Sequence, residues 1–218
     1  MKTALLFGSS GLIGGNLLNK LLENNDYSKI KLFVRSVSEI NNPKVAIIKT
    51  DFNNLESHKE DIKGDDCFFC IGTTRKNSPD RNEYRRIELD VPKKVAQIAK
   101  SNSVNSFIYV SSGFADPKNT GDYLRFKGEV EEELKKLNFS TLGILRPSFL
   151  LGKRKEKRIG EKIGILLFKL LSPLFIGPLK KMKPIHSEKV AKAMINISKN
   201  DLQQVIFESN EIVEVAKI

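Results

Sequence analysis

The chain has 218 residues, of which 40% are hydrophobic and 29% are charged, and this balance excludes both a disordered chain and a bundle of membrane helices. No apolar run approaches the ~18–20 residues that span a bilayer, and the apolar stretch in MKTALLFGSSG is too short for a signal peptide, so we expect a cytoplasmic protein. The net charge of +11 is uneven, because residues 153–183 hold ten Lys or Arg and only two Glu.

Short apolar runs alternate with amphipathic stretches along the first two-thirds of the chain. The predicted strands are 2–7, 29–34, 44–49, 66–71, 106–111 and 140–145, and the predicted helices between and after them are 12–25, 86–102, 122–138 and 186–200. A last short strand and a turn of helix are expected near the end. The alternation predicts an α/β fold, a doubly wound parallel sheet of the NAD(P)-binding Rossmann type, with its ligand crevice at the carboxyl ends of the strands.

Residues 150–183 break the alternation, becoming first basic and then apolar, with Pro173 and Pro178 interrupting any long helix. We expect one domain over 1–218 in which this segment is an insertion. It fits a small C-terminal helical lid over the substrate, a membrane-surface element that contacts anionic lipid weakly, or a packed helical subdomain. The prolines and the position after the sixth strand favour the lid. Interleaved aromatics and a reader motif are missing, so nucleic acid is not an expected partner.

The two cysteines form the motif Cys67-Phe-Phe-Cys70, whose spacing is typical of redox dithiols. They lie in a predicted buried strand, where residues three apart point to opposite faces of the sheet, so we expect inert core thiols. His58 and His186 are far apart, and no His or Cys cluster has ligand spacing. The sequence therefore predicts no metal site.

A glycine-rich loop, LLFGSSGLIGG, follows the first predicted strand and opens the first helix. Gly8 permits a tight turn, Gly11 lets the backbone approach a pyrophosphate, and Gly14 lets the helix pack closely on the strand. The alternative is a glycine-rich turn without a ligand. The residues that we expect to bind the cofactor here are Gly8, Ser10, Gly11, Leu12, Ile13 and Gly14.

The ends of the second and third strands predict which nucleotide binds. An acidic residue after the second strand would accept hydrogen bonds from the ribose of NAD, but the sequence there is LFVRSVS, with Arg35 and Ser36. A guanidinium pairs with a 2′-phosphate, so we expect NADP(H) in preference to NAD(H), the alternative being a surface arginine. Asp51 and Phe52, after the third strand, are expected at the adenine edge.

Tyr123 and Lys127 are four residues apart at the start of a predicted helix, so they share one face. Such a pair is common on solvated faces, but the fifth strand delivers Ser111 and Ser112 to the same crevice. A free tyrosine has a pKa of ~10, and a neighbouring ammonium stabilises its phenolate. We predict that a serine hydroxyl holds the substrate oxygen, Tyr123 exchanges the proton, and Lys127 supports the phenolate and binds the nicotinamide ribose.

Several segments occur in the order and spacing of a known group. They are CIGTTR (70–75), YVSSGFA (109–115), YLRFKGEVEEEL (123–134), LRPSFLLGKRKEKRIGE (145–161) and PIHSEKVAKAMI (184–195). Over nearly its full length the chain resembles the atypical short-chain dehydrogenases related to the HIV Tat-interacting protein, which are nucleoside-diphosphate-sugar-epimerase-like.

The resemblance implies further site residues. Gly72 and Thr73 would border the ribose and nicotinamide of the cofactor, and the backbone of Pro147 and Ser148 would lie near the carboxamide. It also maps the catalytic serine to Ser112 rather than Ser111. Many short-chain dehydrogenases carry an asparagine in the central helix that supports a proton relay through the lysine; here RIELDVPKK offers Asp90, which could hold water or Lys127.

Two functions from different classes fit these features. The first is an NADP(H)-dependent oxidoreductase that acts on a carbonyl or alcohol of a small-molecule substrate, with Ser112, Tyr123 and Lys127 as its chemistry. The second is an NADP(H)-sensing regulatory or scaffold protein, in which the bound cofactor orders the lid and gates partner binding.

Overall fold

The structure, a computed structural model, describes residues 1–36, 40–152, 182–200 and 202–218. The expected lid and the expected membrane-surface element fall largely on 153–181, which lie outside the described residues. In the described chain the strands are β1 (Lys2–Phe7), β2 (Tyr27–Val34), β3 (Val45–Lys49), β4 (Asp66–Phe69), β5 (Ser106–Val110), β6 (Thr141–Arg146), β7 (Leu150–Leu151), β8 (Ile185–His186) and β9 (Ile206–Glu208). The helices are α1 (Leu12–Glu23), a 3-10 helix (Leu55–His58), α2 (Arg81–Arg85), a π-helical turn (Arg86–Asp90), α3 (Val91–Ser101), α4 (Asp122–Lys136), α5 (Ser187–Lys199) and α6 (Ser209–Val215).

The main sheet is wound in two directions from β1. Its strand order is β3-β2-β1-β4-β5-β6-β9 and every neighbouring pair is parallel. The chain moves outward from β1 to β3, crosses back to β4, and continues to β9, so the order reverses between β1 and β4. Ligands of open α/β sheets bind at such a reversal. The predicted doubly wound Rossmann fold is confirmed.

The sheet separates two apolar cores, because alternate residues of each strand face opposite sides. In β1, Ala4 and Leu6 pack with α1, α5 and α6, whereas Leu5 and Phe7 pack with α3 and α4. The central strands β1, β4 and β5 are buried on both faces, which explains why they appear in the sequence as nearly continuous apolar runs.

The predicted boundaries differ from the observed ones mainly in the central helix. It was expected to start at Arg86, but helical structure begins at Arg81, because the Asp80 side chain caps it by accepting a hydrogen bond from the Glu83 N–H at 2.7 Å. Residues Arg86–Asp90 then form a π-helical turn before α3. This turn contains Glu88, a buried residue of the site described below.

A second, two-stranded sheet was not predicted. β7 and β8 pair in parallel, with Leu150 opposite Ile185 and Leu151 opposite His186. The two strands lie on either side of the undescribed stretch 153–181. The backbone therefore leaves and re-enters the described fold at neighbouring positions.

The cysteines lie as the strand pattern predicts. Cys67 belongs to the core under α3 and α4, and Cys70 packs on the other face, where its thiol lies 3.9 Å from the sulfur of Met194. Both are free, and burial raises the pKa of Cys70 to about 12. The prediction that the two thiols point to opposite faces of the sheet is confirmed.

Candidate functional site

The residues expected to bind a ligand lie together, because each follows a strand at the carboxyl edge of the sheet. Gly8 follows β1, Arg35 follows β2, Asp51 follows β3, Gly72 follows β4, Ser112 follows β5 and Pro147 follows β6. Parallel strands bring all these positions to one edge. The crevice there lies above the reversal between β1 and β4.

The glycine loop depends on two of its glycines for internal reasons. Gly8 has φ +90°, and a Cβ on it would lie 2.8 Å from the carbonyl carbon of Cys70. A Cβ on Gly14 would lie 2.1 Å from the carbonyl oxygen of Gly8. These contacts require glycine at both positions, because a side chain would push the loop away from β4 or α1.

Gly11 differs, because its backbone angles and its neighbours among the described residues demand glycine far less strictly. Its backbone has φ −78° and ψ 172°, and a Cβ there would meet only the Gly8 carbonyl oxygen, at 3.3 Å. Gly11 is exposed and is the N-cap of α1, where no side chain caps the helix. The first-turn amides of a helix have no partner within it and carry a positive dipole, so an anionic group fits this position. The residues present therefore fit a dinucleotide pyrophosphate.

The other loop residues contribute differently. Ser10 is exposed and Leu12 is partly buried, whereas the Ile13 side chain belongs to the core under α1, α5 and α6. Of Ile13, then, only the backbone is available to a ligand.

Two arginines lie near the ends of β2 and β3, where the adenine end of the cofactor was expected. Arg35 and Ser36 are exposed after β2, and Arg35 has no hydrogen bond or ion pair with another described residue. Arg86 was not predicted: it donates to the Phe52 carbonyl at 3.2 Å and holds the Glu83 carboxylate at 2.7 Å. The pKa of Glu83 is lowered mainly by its hydrogen bonds to Arg86, and the charge of Arg35 lowers it further.

The loop after β3 is held by its own hydrogen bonds. The Asp51 carboxylate accepts from the backbone N–H of Asn53 at 2.9 Å and from its side-chain amide at 2.7 Å, and these bonds lower the pKa of Asp51. Phe52 has φ +65°. Arg86 thus holds the carbonyl of Phe52, a residue in the left-handed region, beside Asp51 in the loop that was expected at the adenine edge.

The two serines after β5 have different surroundings. Ser111 is buried and donates its hydroxyl to Glu131, which also accepts from Arg146 Nε at 3.0 Å. Ser112 is partly exposed, and among the described residues its hydroxyl donates to the neighbouring Gly113 carbonyl at 3.3 Å and to no other group. Ser111 is committed to the fold, so Ser112 is the serine available to a ligand.

The loop after β6 lies beside these serines. The Gly113 N–H donates to the Pro147 carbonyl at 3.0 Å, and Pro147 itself is buried. The backbone N–H of Ser148, which was expected near the nicotinamide carboxamide, donates instead to the Ser209 hydroxyl at 2.9 Å.

Tyr123 and Lys127 form a pair at the start of α4. Tyr123 is 40% exposed, whereas Lys127 is only 3% exposed and lies beneath it. Lys127 Nζ is 5.9 Å from the centre of the Tyr123 ring, 5.0 Å from that of Tyr109, and 3.4 Å from the Val110 carbonyl oxygen. Lys127 is therefore enclosed by protein, while Tyr123 is partly open to solvent.

The carboxylate beside Lys127 is Glu88, and this corrects the expectation for Asp90. Glu88 is 1% exposed and its Oε2 lies 3.1 Å from Lys127 Nζ. Asp90 instead pairs with Arg85 at 3.2 Å on the surface. Both residues belong to the π-helical turn over Arg86–Asp90, in which Glu88 is buried and Asp90 is partly exposed.

Glu88 also holds the loop after β4. Its Oε1 accepts from the Thr73 N–H at 2.5 Å, and a Cβ on Gly72 would lie 3.4 Å from the same oxygen. The sequence carried a signal for this residue that the prediction did not use. Tyr84, Glu88, Val91 and Val95 have the spacing of one helix face, so Glu88 is a charged residue in an apolar stripe.

Burial and the neighbouring charges shift the pKa of Lys127 in opposite directions. Burial alone would lower the pKa of Lys127, but the Glu88 carboxylate, supported by neighbouring tyrosines, holds that pKa well above its usual value. Burial and Glu88 also raise the pKa of Tyr84 to about 12. Lys127 is thus an ammonium with a matched charge.

Two further findings concern the described residues as a group. Within 1–36, 40–152, 182–200 and 202–218, no three His, Cys, Asp or Glu residues are grouped so that they could hold a metal ion. In that same part of the chain, no helix has both the length and the apolar character needed to cross a bilayer.

Comparisons with known proteins agree with this geometry. Residues 8–201 match the family model described as NAD(P)H-binding. The chain is 30% identical over 224 residues to Protein HTATIP2 of Rattus norvegicus, covering 99% of this chain and 90% of the relative. It is 29% identical to Protein FMP52, mitochondrial, of Debaryomyces hansenii, covering 93% of this chain and 90% of the relative.

Among solved structures, the Bordetella bronchiseptica enzyme WbmH in complex with NAD⁺ superimposes with a TM-score of 0.71. The match covers 100% of this chain and 80% of that one at 16% identity, which is a likeness of fold. Together these matches identify an atypical protein of the short-chain dehydrogenase/reductase type and confirm the resemblance stated from the sequence motifs.

Proposed function

The chain belongs to the NAD(P)H-binding family, and we propose that it is an NADP(H)-dependent oxidoreductase that interconverts a carbonyl and an alcohol. One observation carries the proposal. The uncapped start of α1 behind Gly11 and the Tyr123–Lys127 pair lie at the same edge of one sheet. A dinucleotide on the first would extend its reactive end towards the second.

The chemistry follows from the side chains at that end. When bound, the cofactor supplies or takes up the hydride. In the reducing direction Tyr123 gives its proton to the substrate oxygen, which Ser112 holds by a hydrogen bond. Lys127 donates to the nicotinamide ribose and supports the phenolate that Tyr123 becomes. Tyr123 is suited to this role because it is exposed, whereas Tyr84 and Tyr109 are buried.

Replacing Arg35 with alanine is expected to remove a preference for NADPH over NADH. The exposed guanidinium makes no hydrogen bond or ion pair with another described residue and acts on Glu83 only through its charge, so it is available to the 2′-phosphate that NADPH alone carries. Loss of such charge-assisted hydrogen bonds weakens binding by about ten- to a hundredfold, so calorimetric titration should show that drop for NADPH and almost none for NADH.

Lys192→Ala is the control, because it removes an exposed positive charge from α5. Its NADPH affinity should match that of the wild type. Equal affinity of the wild type for the two nucleotides, or an unchanged NADPH affinity in Arg35→Ala, would contradict the assignment of Arg35.

Replacing Gly11 with alanine is expected to weaken cofactor binding and to change the stability of the fold little. Its backbone angles suit alanine, and a shift of a few tenths of an ångström relieves the 3.3 Å contact of the new Cβ with the Gly8 carbonyl oxygen, so the methyl group would occupy the space proposed for the pyrophosphate. Crowding of this kind corresponds to a loss of affinity of about ten- to a hundredfold. The melting temperature should stay near that of the wild type. A variant that melts normally and binds NADPH normally would remove the support for a pyrophosphate at this helix.

Turnover is tested by following NADPH oxidation against a panel of aldehydes and ketones at saturating cofactor. Oxidation that requires a panel member supports the oxidoreductase. Tight NADPH binding with no oxidation across the panel would favour the other function.

That second function is an NADP(H)-sensing protein without turnover, and one observation favours it. The charge of Lys127 is already matched by Glu88, which reduces the field with which the ammonium supports a phenolate. Such a protein binds its partner differently with and without NADPH. Equal partner affinity in the two states would exclude it.

The proposal includes a cytoplasmic location and a small-molecule substrate. The printed name of the FMP52 relative describes that protein as mitochondrial. Fractionation of cells that produce the protein distinguishes the two compartments, and recovery with mitochondria would overturn this part of the proposal.

A further inference from the structure

Glu88 connects two parts of the site that belong to different elements. Its two oxygens point in different directions, one to the Thr73 N–H after β4 and the other to Lys127 on α4. The residue itself belongs to the π-helical turn. A single buried carboxylate thus links the loop below the expected nicotinamide ribose to the lysine expected to bind that ribose.

Because Glu88 and Lys127 are both buried, each charge depends on the other for its stabilisation. A buried ammonium without a counter-ion loses its proton, and a buried carboxylate without partners is strongly destabilising. The titratable groups close enough to Lys127 to influence it are Glu88, Tyr84, Tyr109, Tyr123 and Cys70. Glu88 is the carboxylate among them, so it matches the charge of Lys127 within the described part of the chain.

The neighbours of Lys127 define how a ligand could approach it. Its Nζ lies 3.4 Å from the Val110 carbonyl oxygen and 3.1 Å from Glu88 Oε2, and the ring centres of Tyr109 and Tyr123 lie 5.0 Å and 5.9 Å from it. Tyr123 is the most exposed member of this group, so a cofactor group would approach Lys127 past the Tyr123 ring.

We propose that Glu88 is a positioning residue that keeps Lys127 charged and aimed at the cofactor ribose while fixing the Thr73 loop at the distance that the ribose requires. The identity of the ribose as the ligand rests on the proposed function. The coupling of Glu88 to Lys127 does not, and it can be measured in the protein without nucleotide. From the sequence, Asp90 was expected to hold water or Lys127. Here Glu88, two residues earlier, holds Lys127 through an ion pair.

The direct test is the titration of Lys127 by nuclear magnetic resonance in protein labelled with ¹³C at the lysine Cε. The Lys127 signal is identified by its loss in Lys127→Met. In the wild type it should keep the chemical shift of a charged lysine to high pH. In Glu88→Gln its transition should move to lower pH, because the counter-charge is lost while burial remains.

Asp90→Asn is the matched control, since it makes the same chemical change two residues away on the surface. Its Lys127 signal should follow the wild type. A residue that only supports the fold would change the melting temperature of Glu88→Gln and leave the Lys127 titration unmoved. That result would overturn the proposal.

If Glu88→Gln fails to fold, Glu88→Asp replaces it, because it keeps the carboxylate and withdraws it by one methylene. The Lys127 transition should then move in the same direction by less, and no movement would count against the proposal. Calorimetry with NADPH on the same proteins distinguishes a failure of the proposed function from a failure of the role assigned to Glu88. A wild type that binds no NADPH overturns the proposed function, while the lysine titration still decides the role of Glu88.

Discussion

Tyr123→Phe is expected to lower kcat by about 10²- to 10⁴-fold, the range typical of a lost acid or base, while NADPH affinity stays nearly unchanged. The substitution removes only the hydroxyl, and the ring remains 5.9 Å from Lys127 Nζ at the mouth of the crevice. The measurement combines NADPH oxidation with the best substrate from the carbonyl panel and calorimetric titration of the cofactor. A loss confined to kcat identifies a group that acts in the chemical step.

Tyr84→Phe provides the comparison. Tyr84 is buried near the same lysine, and its pKa is raised to about 12, so its hydroxyl is unsuited to proton exchange near neutral pH. Its kcat should stay within a few-fold of the wild type. Normal turnover in Tyr123→Phe, or an equal loss in the two variants, would exclude Tyr123 as the proton donor.

Gly14→Ala is expected to destabilise the protein by about 1–3 kcal/mol or more, the usual cost of overpacking. The new Cβ would lie 2.1 Å from the Gly8 carbonyl oxygen, and backbone cannot move aside as a flexible side chain would. Because Gly8 and the first turn of α1 form the proposed pyrophosphate site, NADPH binding should be lost as well. Urea unfolding and calorimetry measure the two effects.

The next residue supplies a control with the opposite sign. A Cβ on Gly15 would have the Ser9 carbonyl oxygen as its nearest neighbour, at 3.4 Å, which is an ordinary contact. Alanine is favoured over glycine within a helix by up to about 1 kcal/mol, so Gly15→Ala should be as stable as the wild type or more so. Similar destabilisation by both substitutions would contradict the close approach of α1 to the loop.

The strands and the glycine loop could be predicted from the sequence because each is encoded locally. β1, β4 and β5 are buried on both faces, so they appear as apolar runs, and the loop appears as glycines at a spacing that follows a strand. The pairing of Tyr123 with Lys127 was also local, one helical turn apart.

The partner of Lys127 was not predictable by the same reasoning. Family patterns pointed to Asp90, whereas the buried carboxylate is Glu88, and its contact with Lys127 joins residues that are 39 positions apart in the sequence. The charged residue in the apolar stripe was visible, however, and a partner should have been sought for it. Arg86 escaped notice because its contact, the Phe52 carbonyl, lies on a distant loop.

The short β7–β8 pair has a consequence for the two points of the chain that it brings together. Since Leu150 lies opposite Ile185 and Leu151 opposite His186, the chain returns to the described fold beside the point where it leaves. Gly152 is packed so closely that a Cβ there would lie 2.8 Å from Leu12 and 2.7 Å from the Ser187 hydroxyl, so the point of departure is fixed on α1 and α5. The distance between the two points is thus set by strands and helices of the main fold, the same fold that carries the glycine loop and the Tyr123–Lys127 pair.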